Sequence, residues 1–448
     1  MQVTARGESV RTGFIRHSVI VILLLLAGAG WLDAQTPFPD EPEFFCDDRQ
    51  LEDFVRQALD RNPSLLQALA HYRSALQRVP QVTSLPDPML RFTQFVRSVE
   101  TRVGPQLNSV ALSQKFPWFG KLHVQGQATL KEAAALYQDY QARQREVIAQ
   151  VKAAFYDLAY VDRADHITRQ EQALLEQYEA LAQARYASGQ GLQQAVIKIQ
   201  AEITKIMNRL LVLDRQRESL SARLNTLADR PPETSVPPIP WVTLPQVSLD
   251  LQDLYGLGAR HRQELKATMA RVEASEKKVE LAGKSFWPDI TLSAGFVNVG
   301  ERGDPAGMLL PPPDNGKNAY NFSIGINLPI RRKRYRAEVA EATETLIARR
   351  KGYLEVRNQM EFSIRDQVIR LQTLRGQIDL FDRVLMPQAE EALRSSESAY
   401  QTGQAAALDL LDSERVLLEV RLIKARYRAD FLQSLAALER ALGTRFPR

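Results

Sequence analysis

The chain has 448 residues, of which 25% are charged and 44% hydrophobic, and its formal net charge is +5. These proportions exclude a largely disordered chain and a polytopic helical membrane protein, and they leave ample apolar material for a core. Basic residues are interleaved with acidic ones, so the composition gives no support to nucleic-acid binding.

The first 34 residues have the three-part pattern of a secretory signal peptide. Arginines precede the apolar run 19–27, and small residues follow it up to Ala34. The apolar run is shorter than the ~20 residues that a membrane-spanning helix needs, so cleavage after Ala34 is favoured over an uncleaved anchor. The single cysteine, Cys46, cannot form an internal disulfide, and its flanking residues do not resemble a lipobox.

The rest of the sequence consists of two related copies, residues 35–230 and 249–448. The motif at 51–54 returns at 251–254, and the motif at 186–190 returns at 400–404. The copies are joined by the Pro-rich segment 231–248, whose prolines exclude a helix and predict an extended strap. Such a duplication predicts a pseudo-symmetric structure.

Each copy contains two very long helices joined at a glycine. The first copy has no Gly or Pro from residue 127 to 188, and apolar residues recur there at three- and four-residue spacing. The pattern predicts helices at about 121–187, 192–230, 333–402 and 404–442, paired as giant αα-hairpins of coiled-coil type. Gly352, Gly376 and Pro387 interrupt the third of these, and a kink is expected near Met386 and Pro387.

Each copy also contains two alternating segments that predict strands, at about 89–97 and 107–116, and at about 290–299 and 320–329. In the clearest of them, Tyr320, Phe322, Ile324, Ile326 and Leu328 alternate with small or polar residues. Strands of this length fit a transmembrane β-barrel or the half-buried sheet of a soluble α+β domain. Four strands cannot close a barrel, so membrane strands require several copies of the chain.

This order of elements resembles the TolC family of outer-membrane efflux channels over almost all of the chain after the signal peptide. The strings at 85–90, 114–121 and 189–194 look most like the heavy-metal branch, the CusC/CzcC-like proteins. The resemblance implies a mainly α fold with a small β part, forming an α-barrel/β-barrel trimer with twelve strands in the outer membrane and helices crossing the periplasm. It implies two partners, a periplasmic adaptor and an inner-membrane RND-type pump, and a role as a passive conduit for heavy-metal cations.

The two glycine turns are expected at the periplasmic tips of the hairpins, where they cap the helices in any case. The resemblance implies that an adaptor docks there. The docking candidates are Tyr186, Ser188, Gly189, Gln190, Tyr400, Thr402, Gly403 and Gln404.

Asp409 and Asp412 follow the second tip at a spacing that places both on one helix face. Two readings are open, an exposed acidic pair at a helix N-terminus and, as the resemblance implies, acidic rings at a pore constriction that favour cations. The first copy has Ala195 and Lys198 at the matching positions, and Ala405 stands where the best-known family member has an arginine that holds its tip closed.

Aromatic residues cluster at the helix-side ends of the strands. They fit either the interfacial girdle of a membrane barrel or packing between helix and sheet. These candidates are Phe116, Trp118, Phe119, Phe286 and Trp287. The basic run Arg331 to Arg334, with Arg336, follows the fourth strand and either meets lipid headgroups or forms a solvated turn.

The sequence gives no support to catalysis. The five histidines and seven methionines are dispersed, and no phosphate-binding loop or nucleophile elbow occurs. We expect no cofactor and no fixed metal site. The alternatives to a metal channel are a channel for organic drugs or secreted polypeptides and, in another class, a periplasmic coiled-coil adaptor or scaffold.

Overall fold

The computed structural model describes residues 49–241 and 243–446. The expected signal peptide and Cys46 lie outside the described residues. The fold class is confirmed: the chain is mostly helical, with one small antiparallel sheet.

The first half begins with two short helices, α1 (Arg49–Arg61) and α2 (Pro63–Thr83). Strands β1 (Met89–Thr101) and β2 (Gly104–Phe116) follow, and both extend beyond their predicted limits toward the turn between them. The long helix α3 (Lys121–Ala187) and its return helix α4 (Gln193–Leu227) complete this half. With 67 residues, α3 is about 100 Å long.

The second half repeats this order with α5 (Leu251–His261), α6 (Gln263–Lys284) and β3 (Ile290–Val299). A short helix, α7 (Pro305–Leu309), lies in the loop before β4 (Ala319–Ile326). The long helices of this half are α8 (Arg332–Leu380), α9 (Met386–Thr402) and α10 (Ala407–Leu442).

Residues Phe381–Leu385 form a π-helical turn between α8 and α9. The N–H of Met386 bonds to the carbonyl of Phe381, five residues back, and Pro387 follows directly. Proline lacks the N–H that an α-helix would use and its ring crowds the carbonyl four residues earlier, so the wider turn accommodates it. The disruption expected near Pro387 therefore takes the form of a π turn inside a continuous helix.

The helices are held together by apolar faces that meet along their length. Helix α3 contacts α2, α4, α6 and α10, while α8 contacts α6 and α10. Val151, Phe155 and Leu158 of α3 are fully buried, at the spacing expected of a helix face. Among the described residues, no helix has both the length and the apolar character needed to cross a membrane.

The strap between the halves is fixed to the first hairpin by polar side chains. Asn225 donates to the carbonyls of Pro232 and Thr234, at 3.1 and 2.7 Å. Asp162 accepts the N–H of Ile239 at 2.8 Å and forms an ion pair with Arg217 at 2.7 Å. Proline-rich backbone has few donors of its own, so these contacts replace the hydrogen bonds of regular structure.

Candidate functional site

The four strands form one antiparallel sheet in the order β1-β2-β3-β4. Its register aligns apolar side chains from all four strands on one face. One row contains Leu90, Leu112, Ala294 and Phe322, and the next contains Phe92, Val110, Phe296 and Tyr320. Because alternate residues point to opposite faces, the other face carries mainly small and polar residues.

The apolar face is exposed in the single chain. Phe92 is 65% accessible, and on β4 Tyr320, Phe322 and Ile324 are 75%, 85% and 76% accessible. Strands β1 and β4 form the two edges of the sheet. A sheet with an exposed apolar face and two open edges is unstable in water, and lipid contact with edge closure by further strands removes both defects.

Two of the predicted interfacial aromatics meet where the strands join the helices. The rings of Trp118 and Trp287 are stacked, with centroids 5.0 Å apart. Phe119 packs edge-on against Trp118, and Phe286 lies 5.6 Å from Tyr335. Phe116 is the last residue of β2 and pairs with Ile290. Phe119 and Trp287 stay exposed, at 77% and 53%.

Asp289 stabilises this junction between the strands and the helices through ion pairs and hydrogen bonds. Its carboxylate forms ion pairs with Lys121 at 2.7 Å and Lys115 at 3.0 Å, and it accepts the backbone N–H of Trp118 at 3.0 Å. The backbone N–H of Asp289 donates to the side-chain oxygen of Asn327. One carboxylate therefore connects the two halves of the chain at the base of the sheet.

Both predicted tips are tight glycine turns. Gly189 and Gly403 have φ of +76° and +81°, the left-handed conformation that ends a helix. Gln190 donates to the carbonyl of Arg185 at 2.9 Å, and Gln404 donates to that of Ala399 at 2.8 Å. The two turns thus repeat one capping pattern.

The candidates at the tips differ in accessibility. Tyr186 is 49% exposed, and Ser188, Gly189, Gln190, Thr402, Gly403 and Gln404 are also exposed. Tyr400 is only 6% exposed and belongs to the core of the hairpins. Tyr400 therefore supports the tip from inside, and the exposed residues form its surface.

Arg185 connects the two tips and was not among the sequence candidates. Its guanidinium donates to the carbonyl of Tyr400 and lies 5.0 Å from the centre of that ring. Its position directly before Tyr186 was the only sequence signal, because the contact joins residues far apart in the chain.

Asp409 and Asp412 are both exposed near the start of α10. The Asp409 carboxylate accepts the N–H of Ala406 at 3.1 Å, so it caps the helix. Asp412 lies 3.4 Å from Arg415, which also pairs with Glu202 at 2.7 Å. The Asp409 carboxylate therefore caps α10, and Asp412 is exposed but paired with an arginine.

A buried pair of carboxyl groups, missed by the sequence analysis, lies between α3 and α10. Glu171 and Glu414 are 5% and 1% exposed. Burial, a hydrogen bond with Glu414 and its like charge raise the pKa of Glu171 well above its usual range, against the opposing charges of Arg421 and Arg209. The neighbouring Tyr178 hydroxyl donates a hydrogen bond to Glu397. Burial and this hydrogen bond raise the pKa of Tyr178. Burial and the neighbouring carboxylate therefore favour the protonated form of Glu171.

The described residues contain no group of three or more His, Cys, Asp or Glu side chains placed to hold a metal ion.

Residues 54–229 and 254–444 match the family model described as outer membrane efflux protein. The pyoverdine export outer membrane protein OpmQ of Pseudomonas aeruginosa is 25% identical over 63% of this chain and 56% of its own length. The chain thus spans little more than half of that relative.

Two solved structures show the same fold. The outer membrane protein VceC of Vibrio cholerae has a TM-score of 0.73 at 22% identity, covering 89% of this chain and 97% of VceC. CusC has a TM-score of 0.73 at 17% identity, covering 91% and 96%.

Proposed function

Because this chain belongs to the outer membrane efflux protein family, we propose that it is the outer-membrane channel of a tripartite efflux system. In this role it acts as a passive conduit across the outer membrane and the periplasm. The observation that supports the proposal most directly is the exposed apolar sheet face, which stands at one end of helices about 100 Å long. The apolar sheet face is suited to contact with lipid, and the helices are long enough to cross the periplasm.

In a homotrimer, the unpaired backbone N–H and C=O groups at the open edges of the sheet gain partners from neighbouring subunits. In such an assembly β4 of one subunit pairs with β1 of the next, and three four-stranded sheets close a twelve-stranded barrel. The apolar rows then face lipid and the polar face lines the lumen. The long helices of three subunits surround the continuation of this lumen.

The exposed tips are the proposed docking surface for a periplasmic adaptor protein, which connects the channel to an inner-membrane RND-type pump. The adaptor would contact Tyr186, Ser188, Gly189, Gln190, Thr402, Gly403 and Gln404, while Tyr400 holds the second tip in shape. No energy-converting site is required in this chain, because a passive conduit takes its driving force from the pump.

Asp409 and Asp412 are the proposed pore constriction. Three copies of this exposed pair on a three-fold axis would form two stacked acidic rings, and a narrow ring of carboxylates favours cations. In planar bilayers, we expect Asp409→Asn/Asp412→Asn to reduce cation selectivity, seen as a reversal potential closer to zero in a salt gradient. Glu341→Gln/Glu344→Gln, an exposed pair with the same spacing near the start of α8, is the matched control. Equal selectivity in all three proteins would exclude Asp409 and Asp412 from the constriction.

Heavy-metal cations are the proposed substrate, because the strings at 85–90, 114–121 and 189–194 resemble the heavy-metal branch of the family. The alternative is an organic substrate, favoured by the relative that exports pyoverdine. A deletion strain complemented with wild type decides between them when it is grown on copper, silver, zinc, cobalt or cadmium and on dyes and antibiotics. Selective metal sensitivity of the uncomplemented strain supports cations, whereas sensitivity to organic compounds alone overturns the metal substrate and keeps the channel.

The complemented strain also distinguishes an outer-membrane channel from a periplasmic adaptor or scaffold. A channel fractionates with the outer membrane and conducts ions in bilayers. Recovery in the soluble periplasmic fraction, with no conductance, would overturn the channel and favour an adaptor or scaffold.

A further inference from the structure

The apolar stripe of β4 continues past the end of the strand. On alternate residues it runs through Tyr320, Phe322, Ile324 and Ile326 to Leu328 and Ile330, and the last two are 68% and 78% exposed. The ten residue steps from Tyr320 to Ile330 span at most roughly 33 Å of extended chain. Tilted at about 40°, this length covers the ~25 Å apolar band of an outer-membrane barrel.

In the proposed barrel, the residues that follow Ile330 therefore lie at headgroup depth on the periplasmic side. Five of the next six are basic, namely Arg331, Arg332, Lys333, Arg334 and Arg336, and all five are exposed. Among the described residues none of the five forms an ion pair with an acidic side chain. Arg332 and Arg334 lie over the rings of Phe286 and Tyr335, both at 5.7 Å, which fixes them beside the aromatic junction.

Such a cluster is electrostatically unfavourable without a counter-charge. The first turn of α8 contains no acidic residue, so the cations repel one another next to the positive end of the helix dipole. The adjoining apolar stripe puts them against a lipid surface, where anionic headgroups supply the missing charge.

We propose that Arg331, Lys333 and Arg336, together with Arg332 and Arg334, form a binding surface for anionic phospholipid headgroups in the periplasmic leaflet. The surface anchors the chain at its depth in the membrane. The proposal rests on the outer-membrane location of the proposed function, but it makes no reference to what passes through the channel.

The test compares full-length protein in nanodiscs of phosphatidylcholine alone and of phosphatidylcholine mixed with phosphatidylglycerol. Wild type is expected to melt ~2–4 °C higher in the anionic nanodiscs. Arg331→Gln/Lys333→Gln/Arg336→Gln should lose this difference. Arg349→Gln/Arg350→Gln/Lys351→Gln removes the same charge about 25 Å further along the chain and should retain it.

Three further measurements make the result decisive. Arg331→Lys/Arg336→Lys keeps the charge and should melt like wild type, which shows that the triple variant fails through charge and not through misfolding. Native mass spectrometry should detect phosphatidylglycerol retained on wild type and lost from the triple variant. Raised salt should shrink the melting difference, because screening weakens exposed charge interactions.

Two outcomes would overturn the proposal. If inorganic phosphate added to phosphatidylcholine nanodiscs reproduces the melting shift, the cluster binds a soluble anion and no membrane surface is needed. If the triple variant changes oligomeric state while wild type shows no preference between the lipids, the cations pair with an adjacent copy of the chain. Normal efflux with loss of lipid preference would leave the proposed function intact.

Discussion

The guanidinium of Arg185 donates a hydrogen bond to the carbonyl of Tyr400 and lies 5.0 Å from the centre of its ring. Arg185 belongs to the tip of the first hairpin and Tyr400 to the tip of the second. Since the Tyr400 side chain is buried, the contact joins a half-buried residue of one hairpin to the core of the other. One arginine thus couples the positions of the two tips.

Arg185→Ala should loosen the second tip without unfolding the helices. A hydrogen bond of a charged group and a cation–π contact are lost, a cost of about 2 kcal/mol at a partly buried site. Hydrogen exchange at Gln404 and Ala405, whose N–H groups bond to the Ala399 carbonyl, should accelerate. Gln183→Ala, exposed on the same helix, should leave exchange at these amides unchanged. Unaltered exchange in Arg185→Ala would show that the turn holds itself without the arginine.

The Glu171 and Glu414 pair predicts a stability that falls as pH rises. The ordinary pKa of Glu171 is 4.5 and its value in the folded chain is higher. Above pH 4.5 the folded state therefore binds more protons than the unfolded state, and stability declines with pH, by at most about 1.4 kcal/mol per pH unit for one group. The contribution is fully present below pH 4.5 and is lost as pH rises toward the folded-state pKa.

Glu171→Gln should flatten this dependence. The amide stays neutral at every pH, so melting temperatures measured at pH 5.5 and pH 8 should differ less than in wild type, with the variant more stable at the higher pH. Glu176→Gln, an exposed position on the same helix, is the control and should follow wild type. An undiminished slope in Glu171→Gln would show that other groups carry the pH dependence.

Asp289→Asn should weaken the junction between the sheet and the helices. The change leaves Lys121, whose side chain is 17% exposed, without its carboxylate partner. We expect a loss of about 2–4 kcal/mol, because removing one partner of a largely buried ion pair leaves an uncompensated charge. Thermal unfolding of the purified protein measures this, and Asp314→Asn, with an exposed loop carboxylate, should change little. Equal melting of the two variants would contradict the role given to Asp289.

Two glycines are expected to respond to alanine with opposite signs. Gly189 has φ of +76°, so Gly189→Ala should destabilise its turn by ~1 kcal/mol even though its surroundings are open. Gly352 lies inside α8 with nothing within 4 Å of an added Cβ, so Gly352→Ala should stabilise the helix by ~0.5–1 kcal/mol. Denaturant unfolding provides both values. Two changes of the same sign would mean that contacts between subunits, and not backbone conformation, dominate at one of the sites.

The elements of the fold were predictable because their signals are local. Helix α3 has the limits expected from the glycine-free stretch and the turn at Gly189. Both signals depend only on residues close together in the sequence, because apolar periodicity defines a helix and a left-handed glycine ends it. The alternation from Tyr320 onward likewise located β4, although the strand ends at Ile326 and not near residue 329 as predicted. The strap, whose described residues between 231 and 248 form no helix, follows from its prolines.

The sequence by itself therefore determined where the long helices, the four strands and the two glycine turns lie, and that Asp409 and Asp412 share one helix face. It did not locate the shorter helices α1, α2, α5, α6 and α7. Only the tertiary structure decided that Leu90, Leu112, Ala294 and Phe322 share one row, that Tyr400 is buried under Arg185, and that Glu171 meets Glu414. Each of these depends on pairing between segments distant in the chain. Periodicity fixes which face of an element is apolar, but register and packing between elements fix which residues on that face meet.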